Sequence, residues 1–118
     1  MANTWQGEFP WQNLMQDGFA GTSPIKRFPA NGYGLYDMAG NAWEWTCDVF
    51  TADHSDGAAE RPCCAPGHSA DHIERRVTKG GSHLCAPSYC HRYRPAARQG
   101  HGVRSSTNHL GFRCVRDG

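Results

Sequence analysis

Residues 34–50 read GLYDMAGNAWEWTCDVF, and this stretch carries the clearest structural signal in the chain. Its DMAGN segment combines Asp, Gly and Asn, which turns favour because they form local hydrogen bonds or adopt positive φ angles. The AWEWTCDVF segment then places large apolar residues at alternate positions, at Trp43 and Trp45 and less clearly at Cys47. Alternation with a period of two predicts a strand. The stretch therefore predicts a turn followed by a strand over residues 42–50.

Two further segments predict short strands, and long coil surrounds them. RRVTKGGSHL, residues 75–84, predicts a strand that ends in a Gly pair, and GFRCVRD, residues 111–117, predicts a terminal strand. Residues 1–34 predict ordered coil and turns held by buried rings, and residues 51–74 predict a surface loop without periodicity. The fold that follows is rich in coil and has few short strands.

The composition restricts the classes of protein to which the chain can belong. With 118 residues it is long enough for one domain, and its 14 Gly and seven Pro argue against long helices. A net charge of +1 gives no electrostatic reason to expect nucleic acid or a membrane surface as a partner. The opening MANTWQGEFP lacks the basic and apolar regions of a signal peptide. We therefore expect a cytoplasmic protein, or a secreted or ER-luminal one if a targeting segment precedes this stretch.

Six cysteines at irregular spacing leave several kinds of site open. Residues 79–98, KGGSHLCAPSYCHRYRPAAR, contain Cys85 and Cys90 on either side of a proline turn that can bring both sulfurs together. A disulfide is one outcome. A zinc site with His83 and His91 is the second, although the spacing matches no common structural zinc motif. A Cu(I) dithiolate is the third, since this soft ion prefers sulfur and accepts few ligands.

Carboxylates near tight turns indicate candidate sites for a hard cation. Asp37 and Glu44 flank the turn at Gly40 and Asn41, so both carboxylates and the carbonyls between them could bind Ca²⁺. In the alternative, Asp37 caps the turn and Glu44 lies on a solvated strand face. Asp17 gives a weaker indication, because an Asp-Gly pair usually forms only a turn.

Five motifs, in order, resemble those of a known family. They are NTWQGEFP, NGYGLYDMAGNAWEWTCD, RVTKGGSHLC, SYCHRYRPAAR and HLGFRC, and they resemble motifs of the formylglycine-generating enzymes, also called sulfatase-modifying factors. The resemblance extends over nearly the whole chain. It implies that residues 1–118 are the C-terminal portion of one longer sulfatase-modifying-factor domain. The implied fold class is α+β and C-type-lectin-like, rich in coil with few short strands.

The resemblance implies an oxidase that converts a cysteine of a sulfatase to Cα-formylglycine with O2 and a reductant. The substrate is an unfolded sulfatase polypeptide with a Cys-x-Pro-x-Arg motif. By the same resemblance, two cysteines of the chain hold Cu(I). The implied catalytic residues are Cys85, Cys90, Ser82 and Tyr89, of which the two cysteines are the copper ligands, and the implied substrate-binding residues are Trp43, Arg92 and His109.

Two structural Ca²⁺ sites are also implied by the resemblance. One consists of the side chains of Asp37 and Glu44 with the carbonyls of Gly40 and Ala42. The other consists of the side chains of Asn3 and Asp17 with the carbonyls of Thr4 and Phe19. These ligand types agree with hard-cation chemistry, and the sequence favours the first site over the second.

The chain departs from the family pattern at three places. His109 stands where the family has an asparagine, and Cys63 and Cys64 lie in a variable loop. Some members join Cys114 and the position of Pro95 to upstream cysteines, and this chain lacks both pairings. We therefore expect Cys114 to be unpaired.

Two other functions compete with the oxidase. A non-catalytic, calcium-stabilised lectin-like binding module would keep the GNAWEW scaffold but would not need paired cysteines. An iron-dependent sulfoxide synthase of the same superfamily would need a histidine-rich iron site. The cysteine pair favours the oxidase, although a part of the domain need not be active alone. A part of a domain is also expected to expose an apolar patch, with some of Trp5, Trp11, Phe28 and Tyr33 in it.

Overall fold

A four-stranded sheet is the regular part of the chain. The computed structural model describes residues 2–51, 74–87, 92 and 94–116. The strands are β1 (Trp43–Val49), β2 (Arg75–Lys79), β3 (Arg98–Gly102) and β4 (Leu110–Gly111), and their order in the sheet is β3-β2-β1-β4. The central pairs β1 with β2 and β2 with β3 are antiparallel, whereas β1 with β4 is parallel.

The two strands predicted from residues 42–50 and 75–84 are confirmed. β1 occupies residues 43–49, and β2 occupies the first half of its predicted segment. β2 ends at Lys79 because Gly80 and Gly81 adopt φ angles of 90° and 74°, which a strand does not contain. The Gly pair therefore turns the chain out of the sheet and into the segment that contains Cys85.

The pattern of the sequence gives no sign of β3. This strand reads RQGHG, and a strand with two glycines and no apolar alternation resembles coil. Gly100 lies against the ring of Phe50, where an added Cβ would be 2.5 Å from Phe50 Cγ. A glycine is required at this point because the ring covers the backbone of the strand.

The terminal strand predicted over residues 111–117 is wrong beyond Gly111. β4 ends at that residue, and residues 112–116 form no regular element. The cause is Arg113, whose guanidinium donates hydrogen bonds to the Glu44 carboxylate and to the carbonyl of Tyr36. This tertiary contact directs the chain away from further pairing with β1.

The helical half of the predicted α+β class does not occur in the described residues. Within those ranges the chain has four strands and no helix, and turns and coil make up the remainder. It follows that no helix in the described part is long and apolar enough to cross a membrane. The observed fold is a small strand-containing one that is rich in coil.

Polar side chains contribute much of the interior. The buried apolar residues are Phe28, Trp43, Val77, Cys85 and Ala86. The buried polar residues are Asn3, Ser23, Asn41, Thr78, Ser82 and His83. Buried polar groups require hydrogen-bond partners, so the coil of the first forty residues is attached to the sheet by specific hydrogen bonds as well as by apolar contact.

Several large apolar side chains face the solvent. Trp11 and Tyr33 are 76% and 90% exposed, and the apolar patch expected to contain some of these residues stays a prediction. Phe28, in contrast, is buried and packs edge-on against Phe19, with ring centroids 6.4 Å apart. Trp5 is partly buried and packs edge-on against Phe9.

The cysteines differ in their state. Cys47 is in a disulfide, while Cys114 is exposed and outside any disulfide, as expected. Cys63, Cys64 and Cys90 lie outside the described residues.

Candidate functional site

The segment after β2, residues 80–87, forms a tight buried loop that we call the Cys85 loop. Ser82 and Cys85 are 1% and 2% exposed, and the N–H of Cys85 donates to the carbonyl of Ser82 over 3.0 Å. The N–H of Ser82 points at the sulfur of Cys85, 3.5 Å away, and Ser82 Oγ accepts from Leu84 N–H. The loop thus brings together two of the predicted catalytic residues. Its Ser82 N–H is a hydrogen-bond donor directed at the sulfur.

Asn41 connects the Cys85 loop to the end of the turn before β1. Its carbonyl accepts from the backbone N–H of His83 over 2.9 Å and lies 3.1 Å from the ring Nδ1 of the same residue. The N–H of Gly40 donates to the carbonyl of Gly80 in the same region. Trp5 adds a further contact, because its N–H donates to the carbonyl of Cys85 over 3.1 Å. The loop is therefore held from two sides.

Trp43 and His109, both predicted to bind substrate, lie next to one another in the sheet. The N–H of Trp43 donates to the carbonyl of His109 over 2.8 Å, and Trp43 is 4% exposed. The ring of His109 meets the ring of His83 edge-on, with centroids 6.4 Å apart. Burial first, and then the neighbouring His83 and His101, lower the pKa of His109 below its ordinary value. His109 is therefore neutral at pH 7 and lies at the back of the Cys85 loop.

Arg92 lies apart from this group. Its side chain is exposed and donates to Gln99 Oε1 on β3 over 2.9 Å. Within the described ranges it forms no hydrogen bond or ion pair with Trp43, His109 or the Cys85 loop. Two further predicted catalytic residues, Tyr89 and Cys90, lie outside the described residues.

The first predicted Ca²⁺ site surrounds Glu44 and opens into a cavity of about 560 Å³. Both carboxylate oxygens of Glu44 accept hydrogen bonds from the guanidinium of Arg113, which also donates to the carbonyls of Tyr36 and Asp37. These hydrogen bonds to Glu44, ahead of the opposing effect of burial, raise the pKa of Arg113. Oδ2 of Asp37 accepts from the N–H of Lys26 over 2.7 Å.

The oxygens predicted for the first site therefore do not fit a divalent ion as they are arranged. The positive charge of Arg113 already neutralises Glu44, and a cation would have to displace it. Gly40 and Ala42, whose carbonyls complete the predicted set, line the same turn; Gly40 adopts φ of 74° and a Cβ there would lie 2.2 Å from the carbonyl oxygen of Asn3. We derive no role for Ca²⁺ at this position.

At the second predicted Ca²⁺ site, around Asp17, one carboxylate oxygen is not occupied by a hydrogen-bond donor of the described residues. Oδ1 of Asp17 accepts from the N–H of Phe19 over 3.0 Å, whereas Oδ2 is buried and has no hydrogen-bond partner among the described residues. Asn3 is 2% exposed, and its Nδ2 donates to the carbonyl of Gly21. A buried carboxylate oxygen without a partner is costly unless a cation neutralises it. Carboxylate oxygen is the ligand type that a hard cation prefers, so Asp17 fits the predicted site in its chemistry.

Copper fits the chemistry of Cys85, since a buried sulfur with an N–H donor suits a soft ion. The second predicted ligand, Cys90, lies outside the described residues. Within the described ranges, no group of three or more His, Cys, Asp or Glu side chains is placed to hold a metal ion.

Sequence reasoning missed two residues that organise the site. Asn41 was interpreted only as part of a turn, and His83 only as a candidate zinc ligand that the family resemblance set aside. Both are buried, and their contact joins residues 42 positions apart. A positive φ is unusual for a residue other than glycine, but Asn tolerates it, so the Gly-Asn pair before a strand was the one available signal.

Comparison with known proteins places the chain in a family. Residues 1–118 match the sulfatase-modifying factor enzyme 1-like domain. The chain is 55% identical to the formylglycine-generating enzyme of Mycobacterium tuberculosis, over 99% of this chain and 40% of that protein. It is 52% identical to the formylglycine-generating enzyme of Bos taurus, over 98% of this chain and 30% of that protein.

Two other similarities bear on function and fold. A Bos taurus protein named inactive C-alpha-formylglycine-generating enzyme 2 is 38% identical, over 96% of this chain and 33% of its own length. Among solved structures, Treponema denticola variable protein 1 superposes with a TM-score of 0.57 and 27% identity, covering 80% of this chain and 32% of that one.

The fold and the site define a coil-rich domain with a short sheet and a buried cysteine loop. The chain belongs to the sulfatase-modifying factor family. It spans 40% of the length of its Mycobacterium tuberculosis relative and 30% of its Bos taurus relative.

Proposed function

We propose that the domain to which this chain belongs oxidises a cysteine of a sulfatase polypeptide to Cα-formylglycine. The observation that carries the proposal is the Cys85 loop, in which a buried cysteine is packed against Ser82 and receives an N–H donor at its sulfur. Relatives that bear the name formylglycine-generating enzyme, at 55% and 52% identity, support the same function. The substrate would be an unfolded segment with a Cys-x-Pro-x-Arg motif.

In this proposal Cys85 and Cys90 hold Cu(I), which when bound supplies the redox chemistry that activates O2. Ser82 orients the sulfur of Cys85, because its N–H donates to that atom. Trp43 bonds to His109, and the ring of His109 meets the ring of His83 in the Cys85 loop. The lowered pKa of His109 favours its neutral form, so this ring adds no positive charge next to His83.

The electron balance of the reaction requires a reductant. Conversion of a cysteine CH2–SH group to an aldehyde, with loss of sulfur as sulfide, removes one electron pair from the substrate. Reduction of O2 to the oxidation level of water takes up two electron pairs. An external reductant, such as a thiol, must therefore supply the second pair, and any assay must include it.

We also propose that residues 1–118 are the C-terminal portion of an α+β, C-type-lectin-like domain with structural Ca²⁺. The buried Oδ2 of Asp17 supports a cation at the second predicted site. We likewise propose a cytoplasmic location.

A non-catalytic binding module is the second candidate. The relative named inactive, at 38% identity over most of this chain, favours it, because the same scaffold occurs under a name that denies the reaction. This candidate predicts that removal of Cys85 leaves every function of the chain unchanged.

The test is production of an aldehyde on a peptide with a Cys-x-Pro-x-Arg motif, with Cu(I), O2 and a thiol present. A domain of the length of the relatives, containing these 118 residues, is incubated with the peptide, and an aminooxy probe detects the aldehyde. In parallel, Cu(I) is titrated into the chain against a competing chelator. We expect Cys85→Ser and Cys90→Ser to lose both the product and the tight copper binding.

Cys114→Ser is the matched control, because Cys114 is exposed and outside any disulfide. We expect this variant to behave as the wild type. Equal, weak copper binding by the wild type and by Cys85→Ser, together with the absence of aldehyde, would reject the oxidase in favour of the binding module.

A further inference from the structure

His83 lies within the Cys85 loop, two residues before the cysteine, and is 7% exposed. Its backbone N–H donates to the carbonyl of Asn41 over 2.9 Å, and its ring Nδ1 lies 3.1 Å from the same oxygen. A carbonyl oxygen only accepts hydrogen bonds, so Nδ1 must carry the proton and donate. The ring is thereby fixed in one orientation and one tautomer.

Asn41 is itself a rigid anchor. Its N–H donates to the carbonyl of Asn3 over 2.7 Å, and its side-chain amide exchanges two hydrogen bonds with the backbone of Ser23, over 2.8 and 3.2 Å. Asn3 Nδ2 adds a further donor to the same Oδ1, 3.3 Å away. The residue adopts φ of 61° and is 8% exposed. The carbonyl that His83 contacts therefore belongs to a segment held on several sides.

Several contacts hold the Cys85 loop, and that of the His83 ring is one of them. Ser82 and Cys85 bond to one another within the loop, and such local bonds set its curvature but not its position on the sheet. The N–H of Gly40 attaches the loop at the carbonyl of Gly80, and the N–H of Trp5 attaches it at the carbonyl of Cys85. Between these two points, His83 bonds to the Asn41 carbonyl through its backbone N–H and its ring, and the ring meets that of His109 edge-on.

We propose that His83 is a positioning residue, whose Nδ1–H bond to the Asn41 carbonyl fixes the orientation of the Cys85 sulfur. The inference rests on the proposed function for its relevance to copper, but the positioning itself does not depend on copper. His83 acts through Asn41, because its Nδ1–H is engaged with the carbonyl of that residue. Residues behind a metal ligand commonly tune affinity by ten- to one-hundred-fold, about the effect expected for this one.

The test compares three substitutions of His83 in the copper-free chain. His83→Phe keeps a ring but has no donor. His83→Asn places an amide N–H near the position of Nδ1, and His83→Gln carries the amide beyond it. The rate at which N-ethylmaleimide modifies Cys85, read by peptide mass spectrometry, measures how firmly the loop is held, and exposed Cys114 is the reference thiol in the same molecule.

We expect His83→Phe and His83→Gln to raise the rate of Cys85 modification by about fivefold or more, because a released loop opens more often. His83→Asn should stay within about twofold of the wild type, since it restores the donor. His101→Phe is the matched control: His101 is a partly buried histidine on β3 whose ring packs edge-on against Trp45, and its removal should leave Cys85 unchanged. Circular dichroism shows which variants fold, and only folded variants are compared. If His83→Phe does not fold, the difference in Cys85 modification rate between His83→Asn and His83→Gln tests the role of His83.

Cu(I) competition with the same variants gives the second measurement. We expect His83→Gln to bind Cu(I) about tenfold more weakly than the wild type and His83→Asn to match it. A rate of Cys85 modification that is the same in the wild type, Asn and Gln variants would overturn the positioning role, and so would an Asn variant as reactive as the Gln variant. If the wild type binds Cu(I) no better than Cys85→Ser does, the proposed function fails, while the modification rates still decide the role of His83.

Discussion

The Glu44 region and the Asp17 region both place a carboxylate beside a tight turn, but the two carboxylates have different partners. Glu44 receives the guanidinium of Arg113 on both oxygens. Asp17 has one oxygen bonded to the N–H of Phe19, and the other is buried without a partner in the part of the chain that the structure describes. Within that part, an arginine neutralises the first carboxylate and no cationic side chain pairs with the second.

This difference shows that ligand type alone does not define a cation site. The sequence favours Ca²⁺ at Glu44 over Ca²⁺ at Asp17, and the surroundings favour the reverse. A residue 69 positions away from Glu44 supplies its positive charge. An unpartnered buried acceptor such as Asp17 Oδ2 costs about 1–3 kcal/mol, which a bound cation would recover.

The largest expected effect comes from the glycines of the two regions. Gly40→Ala should destabilise the chain by more than about 3 kcal/mol, because a Cβ at φ of 74° is strained and would lie 2.2 Å from the Asn3 carbonyl oxygen. Gly18→Ala also has a positive φ, 89°, but no atom within 4 Å, so only the strain of about 1 kcal/mol applies. Urea unfolding of both variants measures the difference. Equal losses of stability in the two variants would mean that the Asn3 carbonyl does not pack closely against Gly40.

The response to Ca²⁺ should separate the two carboxylates. At a Ca²⁺ concentration about one hundred times the dissociation constant, the wild type should gain about 2.7 kcal/mol of stability. Asp17→Asn should abolish this gain and leave the calcium-free chain at least as stable as the wild type, since it removes an unpartnered charge. Glu44→Gln should retain the gain.

Thermal unfolding with Ca²⁺ and with a chelator measures this response, and calorimetric titration gives the number of ions bound. If Glu44→Gln loses the stabilisation by Ca²⁺ and Asp17→Asn retains it, the cation binds in the Glu44 region and not at Asp17.

A smaller effect is expected from Arg113→Met. The pair with Glu44 is partly exposed, with side chains 36% and 24% accessible, so its loss should cost about 1 kcal/mol without Ca²⁺. The freed Glu44 carboxylate should then accept a second Ca²⁺, visible as a change in stoichiometry. Arg116→Met, at an exposed position of the same segment, should change stability by less than about 0.5 kcal/mol and leave the stoichiometry as it is.

Local patterns predicted the parts of the fold that depend on near neighbours. The alternation at Trp43 and Trp45 predicted β1, and the Gly pair after Lys79 predicted the end of β2. β3 gave no such pattern, because Gly100 is there to admit the ring of Phe50 from another part of the chain. The terminal strand failed for a similar reason, since Arg113 is drawn to Glu44.

In the candidate site, too, contacts between sequence neighbours were predictable and contacts between distant residues were not. Ser82 and Cys85 are close in sequence, and a turn between them was sufficient to bring them together. The contact of His83 with Asn41 spans 42 residues, and no periodicity or spacing relates the two. Arg92 was predicted to join Trp43, but the sheet order places β3, whose Gln99 binds Arg92, two strands away from β1.

The sequence by itself determined the turn and strand around the GNAWEW segment, the Gly pair that ends β2 and membership of the sulfatase-modifying factor family. These follow from residue types within a few positions of one another, where backbone preference and side-chain alternation act. Only the tertiary structure decided which carboxylate is neutralised, which histidine is clamped and where the last strand ends. Those outcomes depend on charges and hydrogen-bond donors that packing brings from distant parts of the chain, and their energies exist only once the chain has folded.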